Sequence, residues 1–377
     1  VIGGGPGGYP AAFRAADLGL DVTVVDLEEN PGGVCLFRGC IPSKALLHVT
    51  KLKTEVEEAG DMGLQADGLS VDLDKLRDWK NQVVQRLTGG LGQLAEQRGI
   101  KFIRGHARFL DPHSLEIDLH EGGTQKLEFE QAILATGSRP GTIPGLPETD
   151  LIMTSREALE LPEAPERLLL IGGGYIGLEL GQVYAALGSK VTCVEMMSNL
   201  LPEADQDLVK YLDKRVRKQF EAVYTETMAD EIVEEDGRIK VKFKGDGAPD
   251  EKEQTFDRVL VSVGRKPLLD DCGLENTDIE IGDDGFVVVD AQRRTAHEHI
   301  FAIGDVAGQP MLAHKATHEG RVAAECAAGR NAAWDPYAIP AVVFSDPEIA
   351  WAGLTETEAE RDDTPYKLGK FPWGASG

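Results

Sequence analysis

Two stretches of the sequence carry the same glycine pattern, 169 residues apart. The pattern is G-x-G-x-x-G, with Gly3, Gly5 and Gly8 in the first copy and Gly172, Gly174 and Gly177 in the second. In each copy a helix-like segment and a short apolar strand follow, and the strand leads to an acid, Asp26 or Glu195. Such glycines let the backbone approach a pyrophosphate at a helix N-terminus, and the acid accepts from a ribose hydroxyl. The sequence therefore predicts an α/β fold with two Rossmann-like dinucleotide-binding domains.

The acid of the second copy also predicts which nicotinamide cofactor binds there. A carboxylate at Glu195 accepts from a free 2′-hydroxyl and repels a 2′-phosphate, for which an arginine is expected nearby. Residues 196–202 contain no arginine, so NAD is favoured over NADP. A glycine-rich turn that binds nothing is the alternative for one copy, and two copies in the same register make that interpretation improbable.

A pair of cysteines follows the first acid closely. Cys35 and Cys40 lie five positions apart, and Pro42 is suited to the first turn of a helix that begins near Cys40. A thiolate there is stabilised by the helix dipole, and Lys44 adds a positive charge one turn later. Gly39 lets the backbone bend between the cysteines. The stretch therefore indicates a redox dithiol whose Cys40 thiol has a lowered pKa.

Two other interpretations of the cysteines are open at this point. Cys35 and Cys40 could form half of a zinc site, although structural zinc usually needs a second pair of ligands and His48 has no partner close in sequence. They could also be two inert buried thiols. His314 and His318, four residues apart, raise the same question, and we expect packing and flavin contacts rather than a metal.

The composition limits the class of protein. The chain has 377 residues, 42% of them hydrophobic, which suffices for two or three domains. We expect no membrane span, because no run of 18 apolar residues occurs, and no signal peptide. Five scattered cysteines suit a reducing, cytoplasmic compartment. The formal net charge of −25 argues against a nucleic-acid partner and would suit a basic protein partner.

The identity of the first dinucleotide is predicted from the chemistry of NAD and of the dithiol. NAD exchanges a hydride and a dithiol exchanges electrons with a disulfide, and a flavin can do both. The first domain should therefore hold FAD, with its flavin against the dithiol. A later strand over residues 300–303 delivers Asp305 to this domain at its carboxyl end, where ligands bind. Asp305 would contact the ribityl chain or, alternatively, serve as an ordinary helix N-cap.

Several motifs together resemble one known family. They are Gly33-Val34-Cys35, Cys40-Ile41-Pro42-Ser43-Lys44, Ala135-Thr136-Gly137, residues 172–179, Val263-Gly264-Arg265, Gly304-Asp305 and Met311-Leu312-Ala313-His314-Lys315. Over essentially its whole length the chain resembles the pyridine nucleotide-disulfide oxidoreductases, specifically the dihydrolipoyl dehydrogenases. The resemblance implies FAD and NAD as cofactors, a homodimer, and a lipoyl-bearing acyltransferase of a 2-oxoacid dehydrogenase complex as partner.

The resemblance also implies roles for individual residues. Cys35 would be the interchange thiol and Cys40 the flavin-side thiolate, with Lys44 near the flavin and paired with Glu179; these four are the predicted catalytic residues. The implied FAD site comprises Gly3, Gly5, Pro6, Gly8, Asp26, Gly33, Val34, Cys35, Lys44, Ala107, Thr136, Gly137, Ser138, Asp305, Met311, Leu312 and Ala313. The implied NAD site comprises Gly172, Gly174, Tyr175, Ile176, Gly177, Glu179, Glu195, Met228, Val263 and Gly264, with Tyr175 as a gate before the nicotinamide. No metal site is predicted.

The domain organisation follows from the same motifs and from the composition. Residues 1–140 and 266–335 are predicted to form the FAD-binding domain and residues 141–265 the NAD-binding domain. Proline and aromatic residues increase from Trp334 onward, so residues 336–377 are predicted to begin an incomplete α+β interface or dimerisation domain. The family's His-Glu acid–base pair would lie beyond Gly377.

The sequence departs from the family pattern between the cysteines. Phe37-Arg38 stands where the family usually has Asn-Val, and Arg38 is predicted to lower both thiol pKa values further. Within the enzyme class, glutathione-type and mercuric reductases are the alternatives; Ile41, Ser43 and Glu195 argue against the former. A soluble transhydrogenase would lack one of the cysteines. Outside the enzyme class, the alternative is a non-catalytic or redox-regulated flavoprotein that keeps the same fold.

Overall fold

The computed structural model describes residues 1–66 and 68–375. Its α-helices are α1 (Gly8–Asp17), α2 (Gly33–Arg38), α3 (Cys40–Glu58), α4 (Leu73–Gln97), α5 (Ser155–Glu160), α6 (Tyr175–Ala186), α7 (Gln206–Gln219), α8 (Ala313–Ala327) and α9 (Glu356–Arg361). Its strands are β1 (Thr23–Asp26), β2 (Lys101–Asp111), β3 (Ser114–Leu119), β4 (Thr124–Glu128), β5 (Ala132–Leu134), β6 (Ser138–Pro140), β7 (Ile152–Met153), β8 (Arg167–Ile171), β9 (Lys190–Val194), β10 (Ala222–Tyr224), β11 (Met228–Glu235), β12 (Arg238–Lys244), β13 (Glu253–Phe256), β14 (Arg258–Val261), β15 (Arg265–Pro267), β16 (Ile300–Ala302), β17 (Pro340–Val343) and β18 (Ile349–Ala352).

The first parallel sheet is built around the start of the chain. β1 pairs with β2 on one side, and β5 pairs with β16 on the other. Ile2 forms parallel bridges to both Val25 and Leu134, which joins the two halves. The order is therefore β2, β1, the Ile2 segment, β5 and β16. Each central strand is a short apolar run, as expected for strands covered by helices on both faces.

The second parallel sheet has the order β10, β9, β8, β14 and β7. Its glycine-loop strand β8 lies at the centre, next to β9, which leads to Glu195. The Ile2 segment and β1 have the same relation in the first sheet. The duplicated sequence pattern thus corresponds to a duplicated topology, and the predicted α/β class with two Rossmann-like units is confirmed.

Each unit also contains a three-stranded antiparallel meander. β2, β3 and β4 form the first, and β11, β12 and β13 form the second. β6 pairs with β15 where the chain passes between the two units. The predicted boundaries after residues 140 and 265 fall within or next to this strand pair, and they remain predictions.

The dithiol helix α3 is fixed by a core that it shares with later elements. Leu46 of α3 is fully buried and belongs to the same apolar cluster as Leu178 of α6 and Val343 of β17. Full burial of a side chain of this size contributes about 1.5–3 kcal/mol. The first turn of α3 is therefore held against α6, which begins at the second glycine loop.

The C-terminal part contains a hairpin of β17 and β18 followed by α9. These elements lie in the segment predicted to begin an α+β domain, and residues 376–377 lie outside the described chain. Within the described residues, no helix is both long and apolar enough to cross a membrane.

Candidate functional site

The first glycine loop leaves open space at its middle glycine. Gly3 has φ +100°, and a Cβ on Gly8 would lie 1.8 Å from the carbonyl oxygen of Gly3, so these two glycines are required by backbone packing. A Cβ on Gly5 would come no closer than 3.8 Å to any atom, the nearest being the Gly33 Cα. The space beside Gly5, at the start of α1, therefore fits a dinucleotide pyrophosphate.

The second loop repeats this geometry. Gly172 has φ +108°, and a Cβ on Gly177 would lie 2.4 Å from the Gly172 carbonyl oxygen. A Cβ on Gly174, the N-cap of α6, would meet no atom within 4 Å. The packing of the chain does not explain a glycine at this position, whereas a bound pyrophosphate would.

The two acids hold their glycine loops in the same way. Asp26 Oδ2 accepts from the Gly4 N–H at 2.5 Å, and Glu195 Oε2 accepts from the Gly173 N–H at 2.6 Å. Burial raises the pKa of Asp26, although its hydrogen bonds with backbone N–H groups oppose this effect. Each carboxylate is thus fixed beside the loop, where a ribose hydroxyl would approach.

One cavity of about 480 Å³ lies between the first unit and the start of α6. Most of the predicted FAD residues line it: Gly3, Gly5, Pro6, Asp26, Gly33, Val34, Cys35, Lys44, Ala107, Thr136, Gly137, Ser138, Asp305, Met311 and Ala313. Gly8 and Leu312 are not in its lining; Gly8 packs on Gly3, and Leu312 is the N-cap of α8. The cavity therefore brings together the Gly5 loop, the dithiol and Asp305, as an extended flavin dinucleotide would require.

The predicted NAD residues divide into two groups. Tyr175, Ile176 and Glu179 line the same cavity as the dithiol. Burial raises the pKa of Tyr175 to about 12, so its hydroxyl stays protonated. Tyr175 and Ile176, in the first turn of α6, thus lie between the second glycine loop and the dithiol. This is the position expected of a gate before the nicotinamide.

The other predicted NAD residues lie around the second glycine loop. Thr227 donates its backbone N–H to the Glu195 carbonyl at 2.9 Å, which places the exposed Met228 beside that acid. Strand β14 stops at Val261, two residues before Val263, and Val263 is 44% exposed. Val263 and Gly264 are therefore free to border the open space of the second loop.

The dithiol is held at the junction of two helices. Cys35 lies within α2, and Cys40 begins α3, with Gly39 as its N-cap. A Cβ on Gly39 would approach the Val34 carbonyl oxygen to 2.8 Å, so glycine permits the close turn between the cysteines. The two cysteines are not joined by a disulfide in this structure, and both line the cavity.

The two thiols have opposite pKa shifts. The Cys35 thiol donates a hydrogen bond to Cys40, which raises the pKa of Cys35 and, with the charge of Lys44, lowers the pKa of Cys40 to about 7. The predicted lowering is thus found at Cys40, and burial further raises the pKa of Cys35. Near neutral pH the pair exists as one thiolate and one thiol, which is the state needed for thiol–disulfide exchange.

An ion pair with one buried partner lies next to the dithiol in the cavity lining. Lys44 Nζ donates to Glu179 Oε2 at 2.9 Å and to Oε1 at 3.3 Å. The Glu179 side chain is only 4% exposed. A buried carboxylate needs such a partner because an unpaired one is costly. The predicted association of Lys44 with Glu179 is therefore present, and it links α3 to α6.

The prediction for Arg38 is wrong. Its guanidinium forms an ion pair with Glu28, and its charge lowers the pKa of Asp26 rather than that of either thiol. Arg38 is the last residue of α2, and its side chain points back toward the end of β1. It lines the cavity near the ribose acid instead of acting on the dithiol.

Arg265 was named only as part of the Val263-Gly264-Arg265 motif and was not predicted to be a site residue. This residue donates from Nε to Ser138 Oγ at 2.7 Å and from Nη2 to the Ser138 carbonyl at 2.8 Å, and Ser138 Oγ donates to Asp305. Arg265 also lines the cavity. Its place directly after the predicted Gly264 was the available signal. Asp305 is therefore held by a side-chain partner as well as by its own turn.

A buried charged cluster supports the Asp305 turn from behind. Glu319 is fully buried and accepts from the Gly304 N–H at 2.7 Å and from Arg293 Nη1 at 3.0 Å. Lys315 Nζ donates to the Gly304 carbonyl at 3.0 Å and to Glu319 at 3.2 Å. Both polar groups of the Gly304 backbone are thus engaged, which fixes the orientation of Asp305.

The histidines considered for metal binding lie apart from the cavity lining. His314 Nε2 is 2.6 Å from the Pro340 carbonyl, which agrees with a packing role, and neither His314 nor His318 lines the cavity as the expected flavin contact would require. The His48 ring lies beside the Trp79 ring, with centroids 6.5 Å apart and planes tilted by 30°. In the part of the chain that the structure describes, no group of three or more potential ligands is arranged to hold a metal ion.

Comparison with known families agrees with this geometry. The profile of the pyridine nucleotide-disulphide oxidoreductases matches residues 1–320, and that of the dimerisation domain of the same family matches residues 339–377. The second match begins close to the predicted interface segment at residue 336.

Curated relatives and solved structures give the same result. Dihydrolipoyl dehydrogenase of Vibrio cholerae is 46% identical over 381 residues, which cover 100% of this chain and 79% of that protein. Dihydrolipoyl dehydrogenase 3 of Haloarcula marismortui is 45% identical over 387 residues, covering 100% of this chain and 80% of that protein. The crystal structure of LpdA from Mycobacterium tuberculosis has a TM-score of 0.87 at 27% identity, with 96% of this chain and 79% of that chain covered.

These relatives define the cofactors expected at the two glycine loops. The family uses FAD and NAD, which fits the two open pyrophosphate positions and the cavity that joins them at the dithiol. From the matches that span this chain and the arrangement of both loops around one cysteine pair, we conclude that the chain belongs to the pyridine nucleotide-disulphide oxidoreductase family, among the dihydrolipoyl dehydrogenases.

Proposed function

We propose that this protein oxidises protein-bound dihydrolipoamide with NAD⁺ through the Cys35–Cys40 pair and FAD. The observation that carries the proposal is that one cavity is lined by the dithiol, the Lys44–Glu179 pair, the FAD loop at Gly5 and the first turn of the NAD helix α6. The two thiols of the substrate become a disulfide, and the Cys35–Cys40 disulfide becomes a dithiol. Two electrons and one proton then convert NAD⁺ to NADH, and the second proton is released.

The two cysteines have different roles in the thiol–disulfide exchange. Cys35 forms the mixed disulfide with the lipoyl group, and Cys40 remains as the thiolate nearer the flavin. The low pKa of Cys40 makes it a good leaving group in that step. Lys44 holds positive charge beside the thiolate, and Glu179 keeps Lys44 in place. When bound, FAD passes the electron pair between the dithiol and the nicotinamide.

The cofactor contacts are proposed at the residues already assigned to each site. Gly5 and Gly174 would lie against the two pyrophosphates, and Asp26 and Glu195 would bind the adenosine riboses. Asp305 would bind the ribityl chain. The Tyr175 side chain would cover the cavity until the nicotinamide displaces it. The domain boundaries at residues 140 and 265 are proposed to separate these two sites.

We also propose the oligomeric state, the partner and the compartment of the protein. Its match to the dimerisation domain supports a homodimer, and its relatives support the lipoyl-bearing acyltransferase of a 2-oxoacid dehydrogenase complex as partner. The compartment proposed is the cytoplasm. A net charge of −25 suits a basic partner surface. Binding to the acyltransferase should weaken as salt rises from low to physiological concentration, and unchanged binding would contradict the electrostatic part of this proposal.

The test is a comparison of electron donors and acceptors on the FAD-loaded protein. Dihydrolipoamide should reduce the bound flavin and yield NADH on addition of NAD⁺, and Cys35→Ser should abolish both steps. NADPH-driven reduction of oxidised glutathione or of Hg(II), in the absence of a lipoamide reaction, would instead support the reductase alternatives. A flavin that dihydrolipoamide does not reduce, in a protein that passes no electrons from NADH or NADPH to any of these acceptors, would support a non-catalytic flavoprotein.

A further inference from the structure

Phe344 contacts both members of the Lys44–Glu179 ion pair next to the dithiol. Its backbone N–H donates to Glu179 Oε1 at 2.9 Å, and its ring centroid lies 4.4 Å from Lys44 Nζ. The backbone therefore engages the oxygen of Glu179 that is farther from the ammonium, while the ring covers the ammonium itself. These two contacts come from the segment after β17, which lies more than 160 residues from Glu179 in the sequence.

The position of Phe344 is itself firmly fixed. Val343 before it is 1% exposed, and Ser345 after it is 3% exposed. Asp346 donates its backbone N–H to Gln182 Oε1 at 2.8 Å and accepts from Gln182 Nε2 at 2.9 Å through its carbonyl oxygen. These contacts fix the segment on α6 and hold the Phe344 backbone next to Lys44, while the Phe344 side chain keeps one partly exposed face, at 36% exposure of the residue.

Lys44 lies between two cavities. It lines the cavity of about 480 Å³ that contains the dithiol and also a second cavity of about 220 Å³ that Phe344, His48 and Gln182 help to line. The ammonium could therefore turn away from the dithiol into the second cavity. An aromatic face within about 6 Å of a cation attracts it, and that attraction is strongest where water is excluded.

We propose that Phe344 is a positioning residue that keeps the Lys44 ammonium on Glu179 and beside the dithiol. This proposal rests on the proposed dithiol–flavin function. It assigns to the segment that matches the dimerisation domain a direct effect on the redox centre of the same chain. The effect acts through Lys44, because Phe344 itself does not line the cavity that contains the thiols.

Replacing Phe344 by leucine removes the aromatic face and keeps both the backbone hydrogen bond to Glu179 and an apolar side chain. Lys44 should then share its time with the second cavity, and its stabilisation of the Cys40 thiolate should decrease. The other titratable groups in the linings of the two cavities are Asp26, Cys35, Arg38, Cys40, His106, Arg139, Tyr175, Glu179, Arg265, Asp270, Asp271, Cys272 and Asp305 in the first, and His48, Lys51, Asp346 and Glu348 in the second. None of them is altered by the substitution.

The experiment follows the thiolate–flavin charge-transfer absorbance of the NADH-reduced, FAD-loaded protein as a function of pH. Phe344→Leu should move the midpoint upward by about 0.3–0.8 pH unit, which is a two- to sixfold change in the ratio of thiolate to thiol. Phe344→Tyr keeps an aromatic face and should restore the original midpoint. Phe371→Leu is the matched control, since Phe371 lies on the same C-terminal segment and is 71% exposed.

The outcomes separate this proposal from the proposed function. An unchanged midpoint in Phe344→Leu overturns the positioning role, as does a shift of the same size in Phe344→Tyr or Phe371→Leu. Absence of charge-transfer absorbance in the unsubstituted protein overturns the proposed function. A purely structural role would lower stability and FAD content in Phe344→Leu but leave the pH midpoint unchanged. Stability, FAD content and the midpoint are therefore recorded for each variant.

Discussion

The substitution Gly174→Ala should weaken NAD binding without unfolding the protein. A Cβ at this position meets no protein atom within 4 Å, and the backbone, with φ −77° and ψ 176°, accepts alanine. Alanine is a poorer N-cap residue than glycine, which lowers the free energy of unfolding, but it also makes the unfolded chain less flexible, which raises it. The two effects nearly cancel, so the free energy of unfolding should change by no more than about 1 kcal/mol. The new methyl group occupies the place proposed for the pyrophosphate. A clash of about 1–3 kcal/mol there would weaken NADH binding about 5- to 150-fold.

The assay is NADH titration monitored by calorimetry, together with urea unfolding of each variant. Gly177→Ala is the matched control, because its Cβ would lie 2.4 Å from the Gly172 carbonyl oxygen and 2.5 Å from Ser262 Oγ. That variant should lose stability. Gly5→Ala should weaken FAD binding and leave the second loop intact. Unchanged NADH affinity in a folded Gly174→Ala protein would refute the assignment of the second loop.

Three further predictions concern charged groups and the dithiol. Glu195→Gln keeps an acceptor for the Gly173 N–H and removes the charge, so the preference for NADH over NADPH, measured as a ratio of Kd values, should fall about tenfold. The charge-transfer absorbance of the reduced protein should disappear as pH falls through about 7, since the folded-state pKa of Cys40 lies below its ordinary value; retention to pH 5 would contradict this. Glu319→Gln leaves Lys315 and Arg293 without a counter-charge and should cost about 3–5 kcal/mol in urea unfolding.

The features predictable from the sequence are those encoded by short, regular spacing. The glycines of both loops, the acids Asp26 and Glu195, and the helix start at Cys40 depend on contacts within about 25 residues of one another. Each of these features requires one particular backbone conformation, so the spacing of its residues in the sequence is enough to predict its structure. The duplicated sheet order follows from the same spacing, because each β-α-β unit places its strands in a fixed order.

The features that were missed depend on contacts between distant parts of the chain. Phe344 meets Lys44 only after β17 packs on α6, and Arg265 reaches Ser138 across 127 positions. Arg38 was misjudged for a related reason. Its sequence neighbours are cysteines, but the direction of a side chain at a helix end is decided by the nearest opposite charge, here Glu28. Spacing along the chain does not encode such choices.

The central claim is that one dithiol couples the two dinucleotide sites, and anaerobic titration with NADH tests it most directly. The FAD-loaded protein should take up two electrons and develop a long-wavelength charge-transfer band. Cys35→Ser should keep this band, because the Cys40 thiolate remains, and Cys40→Ser should lose it. Direct bleaching of the flavin with no such band in the unsubstituted protein would show that the dithiol is not coupled to the flavin and would contradict the account.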